Sequence, residues 1–170
     1  MHLLLSALLL SGGANPPYCR PNVFRPPAAS PFGAGNRHEA GCRVYRVRAP
    51  RGTLLLAAAT NQKDRERGLM DVRALPARVG MIFTFPGGDG MRVFWMKDTL
   101  IPLDMVFVRA DGTVSEVAEN VPATTHATPD AQIPRRFGVA RSVIELNAGE
   151  AVRDGIIPGV RLALPELGAI

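Results

Sequence analysis

A mainly β domain, built as an antiparallel β-sandwich or a partly closed barrel with two short helices, is what this sequence predicts. Short apolar runs of strand length recur between residues 41 and 164, and several alternate polar with apolar positions. Turn formers separate them, as in Pro50-Arg-Gly52, Pro86-Gly-Gly-Asp-Gly90 and Ala110-Asp-Gly112. Helix signals are confined to two short stretches. With 170 residues and 46% apolar composition, the chain is sized for one domain with a substantial core.

The opening Met1-His-Leu-Leu-Leu-Ser-Ala-Leu-Leu-Leu10, followed by Ser11, Gly12, Gly13 and Ala14, predicts a signal peptide over 1–14 with cleavage after Ala14. The run is too short to span a bilayer, so no integral membrane span is expected. Residues 15–40 are Pro, Gly and Ala with few large apolar side chains, the composition of a flexible linker. A single globular β-rich domain then occupies 41–170. Export places it in the periplasm or outside the cell, where Cys19 and Cys42 fit a disulfide that would contribute about 3 kcal/mol by loop closure. Two free thiols are the alternative, and the spacing excludes a C-x-x-C redox pair.

Within the domain, Cys42–Arg48 alternates as a half-exposed strand, and Thr53–Ala57 follows the Pro50–Gly52 turn as its hairpin partner. Thr60 or Asn61 caps a helix through Arg67, and Gly68 supplies its left-handed end. Gly80–Phe85 reads as a strand with large side chains on both faces, Pro86–Gly90 as a loop, and Phe94–Lys97 as the next strand. Leu103–Arg109 and Thr113–Ala118 flank the Asp111-Gly112 turn, the clearest hairpin signal in the chain. Val121–Pro134 loses periodicity and reads as a long excursion. Val139–Leu146 is a further strand, Ala148–Arg153 a helical turn or two closed by Gly155, and Val160–Leu164 a last short strand.

The net charge of +5 comes from eighteen arginines and two lysines spread along the chain, without the dense run of a nucleic-acid arm; no nucleic acid is expected as partner. Long-range attraction instead favours anionic lipid, polysaccharide or cell-wall polymer.

Taken together, Arg67-Gly-Leu-Met70, Gly80-Met-Ile-Phe83, Phe94-Trp-Met-Lys97, Thr99, Ile101-Pro-Leu-Asp104, Asp111-Gly112 and Val143-Ile-Glu-Leu-Asn-Ala-Gly149 resemble the bacterial and archaeal family called domain of unknown function 192. The resemblance covers about Tyr45 to Leu164 and rests on the joint order of these segments. It implies a compact, mainly β domain, often exported, with no established activity or cofactor. Asp98 and Val160 depart from the usual pattern, which has Asn and Asp there.

The stretch from Met91 to Arg109 concentrates the chemistry: it holds Trp95, the only tryptophan, and Lys97, one of two lysines. Strand alternation puts Phe94 and Met96 on one face and Trp95 and Lys97 on the other. With Arg67 at the preceding helix end, and with Thr99, these form a candidate ligand-binding surface for a saccharide or an anionic small molecule. The plainer account has Trp95 packed and Lys97 paired with Asp98 or Asp104. Asp104 either accepts backbone amides at the Pro102 turn, the favoured role, or serves as a site carboxylate. Glu145, between apolar neighbours, reads as pointing outward from an edge.

No catalytic residue is assigned. A carboxylate pair for glycoside hydrolysis would have to come from Asp98, Asp104, Glu116, Glu119 and Glu145, whose spatial relation sequence does not give. Ser115 and Ser142 lack a nucleophile-elbow setting, and His2, His38 and His126 are too scattered for a zinc site. Met70, Met81, Met91, Met96 and Met105 are read as core fillers rather than Cu(I) ligands, so no metal or cofactor is expected. Gly87-Gly-Asp-Gly90 lacks a following helix and Lys-Ser/Thr, which makes it a loop and not a phosphate cradle. The first reading is an exported non-catalytic binding module. Its alternatives are an envelope carbohydrate hydrolase or lyase using acidic residues, and an interaction or stability factor that meets an envelope protein through the Val121–Pro134 loop.

Overall fold

The computed structural model describes residues 43–164; the expected signal peptide, the linker and the Cys19–Cys42 pair lie outside them. Eight strands and two short helices follow one another as β1 (Val44–Ala49), β2 (Gly52–Ala59), α1 (Gln62–Arg67), β3 (Val79–Thr84), β4 (Gly90–Trp95), β5 (Leu103–Val108), β6 (Val114–Val121), β7 (Arg135–Ala140), β8 (Ser142–Asn147) and α2 (Glu150–Arg153). A six-stranded sheet in the order β1-β2-β3-β8-β5-β6 is covered on one face by the two-stranded ribbon β4-β7. The outer strands β1 and β6 do not pair, so the architecture is a sandwich and not a closed barrel.

Parity along the strands sorts the core into two layers. Met81 and Phe83 of β3, Leu103, Met105 and Phe107 of β5, and Val143 of β8 face the ribbon, where Phe94 meets Phe83 edge-on at 4.9 Å between ring centroids. Ile82, Val106, Val108, Ile144 and Leu146 face the other way, against Ala151 of α2 and against Ile156 and Leu162. Gly138 lets β7 lie directly on this sheet: a Cβ there would come within 2.7 Å of the Phe107 ring.

Several expectations change in the folded chain. β2 and β3 are parallel, because α1 and the residues after it carry the chain across before β3 begins. The expected strand over 139–146 is two strands. β7 belongs to the ribbon and β8 to the main sheet, and the chain changes layers at Arg141, whose backbone bonds Val108 and Phe85. The strand expected at Phe94–Lys97 starts earlier and ends at Trp95. Val160–Leu164 contributes a single bridge, Thr113 to Arg161, in place of a strand. Met81, Met96 and Met105 are fully buried as core fillers, but Met91 is 65% exposed because it lies on the outer face of the ribbon, which nothing described covers.

Candidate functional site

The sequence folds α1 by local rules. Asn61 accepts the backbone N–H of Asp64 at 2.9 Å, and Gly68, at φ +46°, returns its own N–H to the Asp64 carbonyl. Gly68 also permits a close approach, since a Cβ there would sit 3.3 Å from the Phe83 ring. The helix end therefore lies over β3, facing the end of β4. Between them is a small cleft of about 30 Å³, with Arg67, Gly68, Phe83, Trp95 and Lys97 around it and Glu145 among its lining residues.

Trp95 is held at this mouth by its neighbours of opposite parity: Phe94 and Met96 are buried, so the indole turns out and is 42% exposed. Two cations attend it, with the Lys97 Nζ 5.2 Å and the Arg135 guanidinium carbon 5.9 Å from the ring centroid. The Lys97 ammonium approaches Asp130 at 3.7 Å, not Asp98 or Asp104 as the plainer account has it, because the 121–134 segment folds back over it. Thr99 is buried and donates its hydroxyl to the Lys97 carbonyl at 3.0 Å, fixing the turn after the strand.

The long excursion is fastened to the same turn. Thr124 bonds the carbonyl of Met96 through its hydroxyl, and its N–H donates to the Thr99 carbonyl at 2.8 Å. His126 stands between two carboxylates, with Nε2 2.8 Å from Asp71 and Nδ1 3.1 Å from Asp98. Asp71 also binds Arg67. Burial raises the Asp71 pKa, but the His126 hydrogen bond and the Arg67 charge outweigh it and hold the group below its ordinary value. The histidine that reads as isolated in sequence is thus a tie between three segments.

The fold brings Arg67, Trp95, Lys97 and Thr99 around one cleft and places Asp104 elsewhere. Asp104 has the parity of Val106, so it lies on the α2 side of the sheet, with no exposed surface. Its carboxylate accepts the N–H of Asn120 at 2.8 Å and of Ala151 at 2.9 Å.

Glu145 is the residue that sequence reasoning placed wrongly. It is 5% exposed, because β8 is a central strand with β3 on one side and β5 on the other. Its register partners are Met81 and Met105, both fully buried. Desolvation alone pushes its pKa up to about 8, so the carboxyl holds its proton at neutral pH. The signal in the sequence was the acid inside Val143-Ile-Glu-Leu146; whether that strand was an edge was what remained to be known.

Over residues 46–164 the chain matches the family described as an uncharacterized ACR, domain of unknown function 192. The chain belongs to the domain of unknown function 192 family. No curated protein matches it. Two solved structures share the fold. A protein of Sinorhizobium meliloti 1021, proposed there as a transcription regulator, is 34% identical with a TM-score of 0.63, over 74% of this chain and 96% of that one. A protein of unknown function from Novosphingobium aromaticivorans DSM 12444 is 29% identical with a TM-score of 0.64, over 78% of this chain and 94% of that one. Membership of the domain of unknown function 192 family thus carries a fold and no assigned reaction. Among the described residues no helix is long and apolar enough to cross a membrane.

Proposed function

We propose that this protein is an exported, non-catalytic binding module that holds a saccharide or an anionic small molecule at the Trp95 cleft. The observation that carries this reading is the placement of the sole tryptophan, half out of the fold beside two cations and at the lip of a polar cleft. An indole so placed offers a stacking face, and the cations favour a partner with negative charge. Export rests on the signal peptide expected over 1–14. An acid-based hydrolase has less support, because Asp104 is committed to two backbone amides and Asp98 faces His126.

The test uses Trp95 fluorescence, which reports on this site alone. Protein taken from the extracytoplasmic fraction, with Asn15 found by mass as its first residue, is titrated with envelope saccharides and small anions. A saturable change in emission is expected, weakened about tenfold or more in Lys97→Ala, in line with loss of a charge-assisted contact. An emission that no ligand moves would sink the reading.

A second reading, capture of an envelope protein, draws on a different feature. Met91, Val93 and Phe137 are 65%, 61% and 63% exposed, and the register of β4 with β7 sets Val93 against Phe137 on the ribbon's outer face. Val93→Asp is expected to abolish such capture in a pull-down while leaving the Trp95 titration unchanged. Capture that survives the substitution would remove this face from consideration.

A further inference from the structure

We infer that the ligand enters this cleft as a carboxylate, received on the buried carboxyl of Glu145, and that its class is therefore a carboxylate-bearing saccharide. The inference rests on the binding reading above and names what that site selects.

Three features lead to it. Glu145 is almost wholly buried and lines the cleft, and its carboxyl has no hydrogen bond or ion pair to any described residue. A buried polar group without a protein partner is costly to keep in a fold, so such a group aimed into a cleft points to a ligand. The acid form offers one O–H donor, and its strongest partner in the cleft is an anionic oxygen, since O–H···O⁻ bonds are shorter and about twice as strong as neutral ones.

Size then restricts the ligand. The recess, at about 30 Å³, has room for about two waters, so it admits the two oxygens of a flat carboxylate and leaves a sugar ring outside. The ring's place is against Trp95 at the lip. A phosphate, with four oxygens around its centre, is too bulky for the same recess.

Charge agrees with this. The groups that share the cleft with Glu145 are Arg65, Glu66 and Arg67 from α1 and Lys97 beyond β4, while β3 and β5 bring the uncharged Met81 and Met105 beside it. Asp71 engages Arg67 from outside, and Asp130 stands 3.7 Å from Lys97, a long pairing that an incoming carboxylate can replace. A deprotonated Glu145 would repel the same carboxylate, so binding requires the proton to stay.

The test is calorimetric titration of the full chain with D-glucuronate, D-glucose and inorganic phosphate across neutral and alkaline pH. Glucuronate is expected to bind at least about tenfold more tightly than glucose or phosphate. Its affinity should be level below pH 8 and then fall about tenfold per pH unit as Glu145 ionises. Glu145→Gln keeps a donor without an ionisable proton, so it should bind at neutral pH and lose that alkaline fall. Glucose or phosphate binding as tightly as glucuronate would overturn the carboxylate assignment and leave the binding reading standing. An alkaline fall unchanged in Glu145→Gln would remove Glu145 from the site. No binding by any of the three, with Trp95 emission unmoved by any envelope ligand, would overturn both.

Discussion

Glu145→Gln is expected to remove a loss of stability that the protein undergoes as pH rises from 4.5 to about 8. The sign follows from where the proton is held. In the unfolded chain the carboxyl ionises around 4.5, whereas burial in the native sheet keeps it protonated until about 8. Between those values the native state binds the extra proton, so raising the pH favours unfolding by about 1.4 kcal/mol per unit. Across the whole window this comes to about 5 kcal/mol, comparable to the entire stability of many domains. Glutamine fills nearly the same volume and never ionises. Urea denaturation of both proteins at several pH values is expected to give midpoints that agree below pH 4.5 and diverge steadily up to about pH 8, the variant being the more stable. Parallel profiles would mean that the carboxyl is hydrated and ordinary in the native state.

Asp104→Ala is expected to destabilise the fold by about 3 kcal/mol or more while leaving the Trp95 cleft intact in whatever remains folded. The carboxylate has no exposed surface and accepts two backbone amides from distant parts of the chain. One belongs to Asn120, whose φ of +51° marks the irregularity in the pairing of β5 with β6. The other opens α2. Deleting the acceptor strands the Ala151 N–H in the interior, at about 1–3 kcal/mol, and also removes the charge-assisted bond that holds the part-buried N–H of Asn120. Asp104→Asn retains one acceptor oxygen, so about half of that cost is expected. A fully stable Asp104→Ala protein that no longer responds to ligand would reverse the assignment and return Asp104 to the site.

Local features were the legible ones. The Asn61 cap, the Gly68 helix end and the Asp111-Gly112 turn depend on residues within a few positions of one another, and each forms as its sequence predicts. Alternation through Phe94, Trp95, Met96 and Lys97 also holds, because it is a property of the extended backbone and needs no knowledge of the partner strand. Sequence therefore nominated four of the residues that surround the cleft. It missed β7, because Arg135-Arg-Phe-Gly138 shows neither clean alternation nor a long apolar run. Its pairing with β4, and the seating of Gly138 on Phe107, become visible only when the strands are stacked.

Family, mainly β class, helix caps and the alternation that sets Trp95 opposite Phe94 and Met96 were determined by the sequence alone, since each follows from short-range chemistry or from the joint order of motifs. Strand order was decided only by the tertiary structure. That order makes β8 central, which buries Glu145 between Met81 and Met105 and raises its pKa. It also sets Asp104 on the opposite face of the sheet, among amides supplied by residues 120 and 151. A carboxyl has the same local sequence signature whether it meets water, a backbone amide or an apolar wall. Which of these it meets depends on segments far along the chain, and that is the physical reason the two acids could not be told apart before the fold was in view.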